Sequence, residues 1–171
     1  MEQYEESVAT MYLAAIRQQF QSIKDLGDRT LEQLEEQQLH FTPNEESNNI
    51  ATIIKHLHGN MRSRWTDFLT SDGEKPDRKR DEEFIDRQQT KNEILELWNM
   101  GWKITFAAIE ALTPADLIKT VYIRQEPHTV IQAIERQISH YSNHVGQIIY
   151  IGKLLTNTAW KTLTIPRNRS L

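Results

Sequence analysis

An all-α chain arranged as an antiparallel four-helix bundle, with one short β-hairpin before its last helix, is the fold the sequence predicts. Three observations carry it. Apolar residues recur three and four apart in four long stretches, the mark of helices with one buried stripe. Breakers are scarce, with 6 Gly and 5 Pro in 171 residues, which counts against a Gly-rich sandwich or a phosphate-cradling loop. The links between the stretches are short, as bundle neighbours require. Against roughly 150 residues per domain, the length predicts one domain spanning residues 1–171.

The first helix runs from about Tyr4, with Val8, Met11, Tyr12, Ala15, Ile16, Phe20, Ile23 and Leu26 as its stripe. Leu31 and Leu34 resume the pattern beyond Gly27, so the spacing predicts a helix bent at Gly27 and continuing through Gln38 towards Leu39. His40 to Ser47, holding Pro43 and Asn44, is a loop, and Ser47, Asn48 and Asn49 offer N-cap chemistry. The second helix, about Asn48 to Leu69, buries Ile50, Ile54, Leu57, Met61, Trp65 and Phe68. Ser71 to Asp86, with the run Asp77-Arg78-Lys79-Arg80-Asp81, reads as an exposed connection. Thr90 with Glu93 forms a capping box opening a third helix, which carries Ile94, Leu95, Trp98, Trp102, Phe106 and Ile109 and stops near Leu112. Trp98 and Trp102 read as core or subunit contact, and Arg62 and Arg64 as solvated surface. Lys119 to Thr129 predicts the hairpin around Gln125-Glu126-Pro127. The last helix, about Val130 to Leu155, carries Ile131, Ile134, Ile138, Tyr141, Val145 and Ile148. The tail, residues 156–171, holds Trp160, Leu163 and Ile165 and is apolar enough to lie across the bundle.

Composition excludes much chemistry. The absence of Cys removes disulfides, Cys-zinc sites, Fe–S clusters and Cys nucleophiles. A net charge of −4 gives no pull towards nucleic acid or an anionic membrane. The acidic Met1-Glu2-Gln3-Tyr4 start is unlike an export signal, and no apolar run reaches the roughly 18 residues of a membrane span, so the expectation is a cytoplasmic protein without membrane or nucleic-acid partners. Any metal must therefore rest on His and carboxylates.

Six His are available: His40, His56, His58, His128, His140 and His144. His140 and His144 are four apart, so both imidazoles leave one face of the last helix a turn apart, as two ligands of one ion do. Gln137, His140, His144 and Gln147 form a stripe about 60° from the apolar one, by 100° per residue. A third ligand must come from the second helix, where His56 and His58 point in different directions. Periodicity favours His58, which falls nearer the centre of the Ile54, Met61, Trp65 face. Asn60 and Gln147, a turn or less from these residues, are candidate pocket groups for a bound water or substrate. No Glu-x-x-His pair of the di-iron kind and no carboxylate one turn from His140 or His144 is present, so no general base is apparent.

The segments Asn49-Ile50-Ala51-Thr52-Ile53-Ile54-Lys55-His56-Leu57-His58-Gly59-Asn60 and Ser139-His140-Tyr141-Ser142-Asn143-His144-Val145-Gly146-Gln147 resemble the DinB/YfiT-like superfamily, and an uncharacterised branch of it found in bacilli in particular. Arg64-Trp65-Thr66-Asp67-Phe68-Leu69, Asp72-Gly73-Glu74-Lys75-Pro76 and Trp160-Lys161-Thr162-Leu163-Thr164-Ile165-Pro166-Arg167 extend the similarity over nearly the whole chain. The resemblance implies a four-helix bundle whose metal ligands fall here on His56, His140 and His144, with His58 a bystander, against the vote of periodicity. Three neutral imidazoles leave an open position on a divalent transition ion such as Zn²⁺ or Ni²⁺, the catalytic rather than the closed structural pattern. The resemblance further implies a homodimer and metal-dependent transfer of a low-molecular-weight thiol, with hydrolysis as the rival reaction. The alternative from another class is a non-catalytic, stress-associated dimeric bundle in which the metal is structural or absent.

Overall fold

The protein is described by a computed structural model covering the backbone of residues 2–166 and the side chains of residues 8–166. The architecture is mainly helical. Among the described residues five α-helices, α1 (Glu2–Leu31), α2 (Glu36–Leu39), α3 (Ile50–Trp65), α4 (Lys91–Glu110) and α5 (Val130–Thr156), accompany a hairpin, β1 (Thr120–Ile123) and β2 (Glu126–Thr129), that directly precedes α5. A 3-10 helix, Arg80–Phe84, interrupts the connection between α3 and α4. The four long helices adjoin in a cycle: α1 packs on α5 and α4, and α3 packs on α4 and α5. Inside that cycle lie Phe20, Ile54, Leu57, Trp98, Trp102, Tyr141 and Ile148, all fully buried, with rings of Phe20, Trp65, Trp102 and Tyr141 meeting about 6 Å apart. The two tryptophans are core.

The first helix does not bend through Gly27. It ends at Leu31, where the next amides turn to shorter-range acceptors, Gln33 N–H to Thr30 O and Leu34 N–H to Leu31 O, tightening the last turn out of α geometry. The short α2 then starts anew, with the Gln38 side chain accepting the Glu35 N–H. Gly27 serves a different purpose: a Cβ there would stand within 3.0 Å of the Trp98 ring, so the glycine lets α4 approach.

The second helix is shorter than expected at both ends. Asn49 is its N-cap, accepting the Thr52 N–H at 2.9 Å, and Thr66 ends it before Asp67, whose φ is 50°. Phe68 leaves the helix yet still packs on Trp65. The hairpin turns at Arg124 and Gln125, one residue earlier than expected, with φ of 56° and 64°. Two successive positive φ values are those of the two-residue turn that matches strand twist. Neither residue is glycine; the Asp72 carboxylate stabilises the turn by accepting both backbone N–H groups, at 2.9 and 2.7 Å. Of the tail, Leu163 is buried, and Arg29 and Gln33 bond the backbone of residues 161–163; residues 167–171 lie outside the described part.

The connection of residues 71–86 is not the solvated strap that its charge suggests. Lys79, Arg80 and Asp81 are exposed, but Glu83 is buried and joined to a half-buried Arg78, and Phe84 turns inward. Arg64 departs likewise: it is buried and donates to the Gly73 carbonyl and the Glu74 carboxylate, whereas Arg62 is the exposed residue expected of both.

Candidate metal centre

His56 enters from the middle of α3, and His140 and His144 enter from adjacent turns of α5. One nitrogen from each ring lies within 4.8 Å of the other two, the group of potential metal-holding side chains that the described residues form. The rings meet edge to face, with centroids 4.7 to 5.2 Å apart. His56 Nε2 and His140 Nε2 are 3.1 Å apart. Nitrogens bound 2.0–2.1 Å from one tetrahedral ion stand about 3.3 Å apart, so this pair already has the separation of two ligands.

The outer nitrogens decide which way the lone pairs face. His56 Nδ1 donates to Glu83 Oε2 at 2.9 Å, and His144 Nδ1 donates to Gln147 Oε1 at 2.8 Å. With Nδ1 carrying the proton, the Nε2 lone pair of each ring is free for a cation, the usual outer support of a metal-binding imidazole. Burial, with His144 and His56 close by, pushes His140 down to about 3; burial also lowers His144, against its bond to Gln147. Neutral imidazoles are the form that binds metal. A neutral His140 in its Nε2–H form donates to the His56 Nε2 lone pair at 3.1 Å, and a divalent ion would take the place of that single proton. The residues present therefore fit a divalent ion.

Glu83 is the site residue that sequence reasoning missed. Burial opposes its charge, but the hydrogen bonds and charges of Arg78 and His56 more than offset this and hold its carboxyl below the usual range. Arg78 grips both oxygens, Nε to Oε1 and Nη2 to Oε2, each at 2.8 Å. Phe84 stacks on the His56 ring at 4.9 Å, shielding that side. The signals were an aromatic residue closing a charged run and a glycine, Gly59, in mid-helix, where it costs about 1 kcal/mol relative to Ala.

His58 goes elsewhere. It faces α4 and the connection, with Nε2 buried and, among the described residues, without a hydrogen-bond partner. Burial and the nearby Arg62 lower its pKa. Asn60 does not line an open mouth: it is buried and accepts the Tyr141 hydroxyl at 3.1 Å, while that hydroxyl accepts Trp65 Nε1–H at 2.9 Å. Gln147 is exposed and lines a groove of about 730 Å³ with Asn143, Ser47 and Tyr150 beside the centre.

The profile of a family of proteins of unknown function, DUF1572, matches residues 7–169. The chain belongs to that family. No curated protein matches the DUF1572 chain. The match spans α3 and α5, which supply the three histidines, and the connection that carries Glu83. Among its described residues no helix is long and apolar enough to cross a membrane.

Proposed function

We propose that this DUF1572 protein is a mononuclear divalent-metal-binding protein, with His56, His140 and His144 as ligands and Zn²⁺ or Ni²⁺ as the ion. The observation that carries this is the convergence of three imidazoles from two helices, two of them with Nδ1 tied back to an outer partner, which leaves Nε2 for an ion. The cycle of four long helices supports the DinB/YfiT-like, antiparallel four-helix bundle that the sequence resembles, formed by one domain. A bound divalent ion supplies Lewis acidity towards a water or a low-molecular-weight thiol, the chemistry of a metal-dependent hydrolase or thiol transferase. The chain's own residues prepare that centre: Glu83 and Gln147 orient two rings, Arg78 fixes Glu83, and Phe84 excludes water from one face of His56. Gln147 and the groove beside it are the proposed approach for substrate.

Metal analysis of protein purified without chelator tests this. The wild type and His58→Ala are expected to hold one equivalent, and His56→Ala, His140→Ala and His144→Ala to lose it. A metal-free wild type refutes the reading, and loss in His58→Ala with retention in His56→Ala transfers the ligand role to His58. Thiol-conjugation and ester-hydrolysis assays on the loaded protein then separate transferase from hydrolase, and both from a structural metal.

A further inference from the structure

Among the described residues, the charged connection between α3 and α4 touches the proposed metal centre through the ring of Phe84 and the carboxylate of Glu83. That carboxylate lies on the far side of His56 from His140, accepting His56 Nδ1–H, while Arg78 holds it in a two-pronged grip. Arg78 is itself fixed, by Glu74, which also accepts from Arg64 and Arg124. On its remaining side the carboxylate rests on Gly59, one turn after His56 less one residue; any Cβ there would fall well inside 3.0 Å of Oε1. A carboxylate on 8% exposed Glu83, charged, twice clamped and admitted by a mid-helix glycine is a built arrangement, not a surface ion pair.

We infer that Glu83, clamped by Arg78 and admitted by Gly59, is the positioning residue of the metal centre, fixing His56 as the Nδ1–H tautomer with Nε2 aimed at the ion. The inference rests on the metal-binding reading above and assigns the outer support of its α3 ligand. A carboxylate behind an imidazole raises its basicity and holds its ring plane, and loss of such a partner lowers metal affinity about 10–100-fold. His144 has only a neutral amide in that position, and among the described residues His140 Nδ1 has none, so His56 is the one of the three with a carboxylate as its outer partner.

Two variants test this from opposite sides. Glu83→Gln removes the charge at constant shape; Gly59→Ala displaces the carboxylate while improving helix propensity, so it does not act by unfolding α3. Zn²⁺ affinity by competition titration is expected to fall about 10–100-fold in both, with unchanged circular dichroism. Imidazole ¹⁵N NMR of the metal-free protein supplies a readout that a merely structural role leaves alone: His56 is expected as the Nδ1–H tautomer in the wild type and as a mixture in Glu83→Gln. Wild-type affinity in both variants, with an unchanged His56 tautomer, overturns the inference and leaves the metal site standing. A wild type that binds no Zn²⁺ overturns the metal-binding reading and the inference with it.

Discussion

Tyr141 shows how one residue couples the aromatic core to the metal centre. It follows His140 directly, is fully buried, and its hydroxyl both accepts from Trp65 and donates to Asn60. Those two bonds join α5 to α3 immediately beneath the histidines. Burial, with Trp65 and Arg64 acting against it, raises the hydroxyl far above the usual tyrosine range, so it stays a neutral donor. Tyr141→Phe keeps the ring and strands a buried indole N–H and a buried amide oxygen. We expect it to cost about 1–3 kcal/mol in urea denaturation while metal stoichiometry stays at one equivalent. A cost within error would mean that water replaces the hydroxyl. Asn60 illustrates what spacing alone cannot show: one turn from His56, it was expected at the site mouth, but the amide finds a partner in a residue 81 positions away.

At the scale of elements, periodicity made the four long helices and the hairpin legible, because each buries one stripe over many residues. It failed where a single local interaction outweighs the stripe. The break after Leu31 is such a case, since Leu31 before it and Leu34 and Leu39 after it are all buried and the apolar pattern passes through uninterrupted. Glu83 is another: solvated and buried carboxylates look alike in a charged run, and only contact with Arg78, Gly59 and His56 separates them. His140 and His144 were legible because a four-residue spacing fixes their mutual geometry, whereas the choice of His56 over His58 depends on where α5 lies. Two predictions belong here. Gly27→Ala gains about 1 kcal/mol of helix propensity but drives a methyl into the Trp98 ring, which hydrogen-bonds Asp28 at 2.6 Å and has little freedom to retreat. Overpacking of about 1–3 kcal/mol should win, lowering the melting temperature; a rise would show that α1 and α4 separate freely. Gln125→Gly acts oppositely. With φ at 64°, a non-glycine residue carries about 1–2 kcal/mol of strain, so glycine should stabilise the hairpin by about 1 kcal/mol, read as a higher urea midpoint.

The whole molecule should reveal its histidine centre through acid sensitivity. His140, held down to about 3, and His144 and His58, also lowered, are neutral in the folded metal-free protein but take up protons near 6.5 when the chain unfolds. Between about pH 6.5 and 3 the unfolded state therefore binds more protons than the folded state, and unfolding free energy must rise with pH over that window. The stability is full above 6.5 and drains as pH falls towards 3. Buried or bonded carboxylates with lowered values, Glu83, Glu74 and Asp86 among them, add to the loss only below about 4.5, where the unfolded chain protonates them. The interval from 6.5 to 4.5 thus isolates the imidazoles. In the presence of chelator, the urea midpoint of the wild type should decline steadily across it, and His140→Ala should flatten the slope. Saturating metal should restore stability by the mass-action term, about 2.7 kcal/mol at a hundredfold excess over Kd, in the wild type and not in His140→Ala. A metal-free wild type as stable at pH 4.5 as at 6.5 would mean that the three rings accept protons in place, and that the packing around them is looser than α3 and α5 indicate.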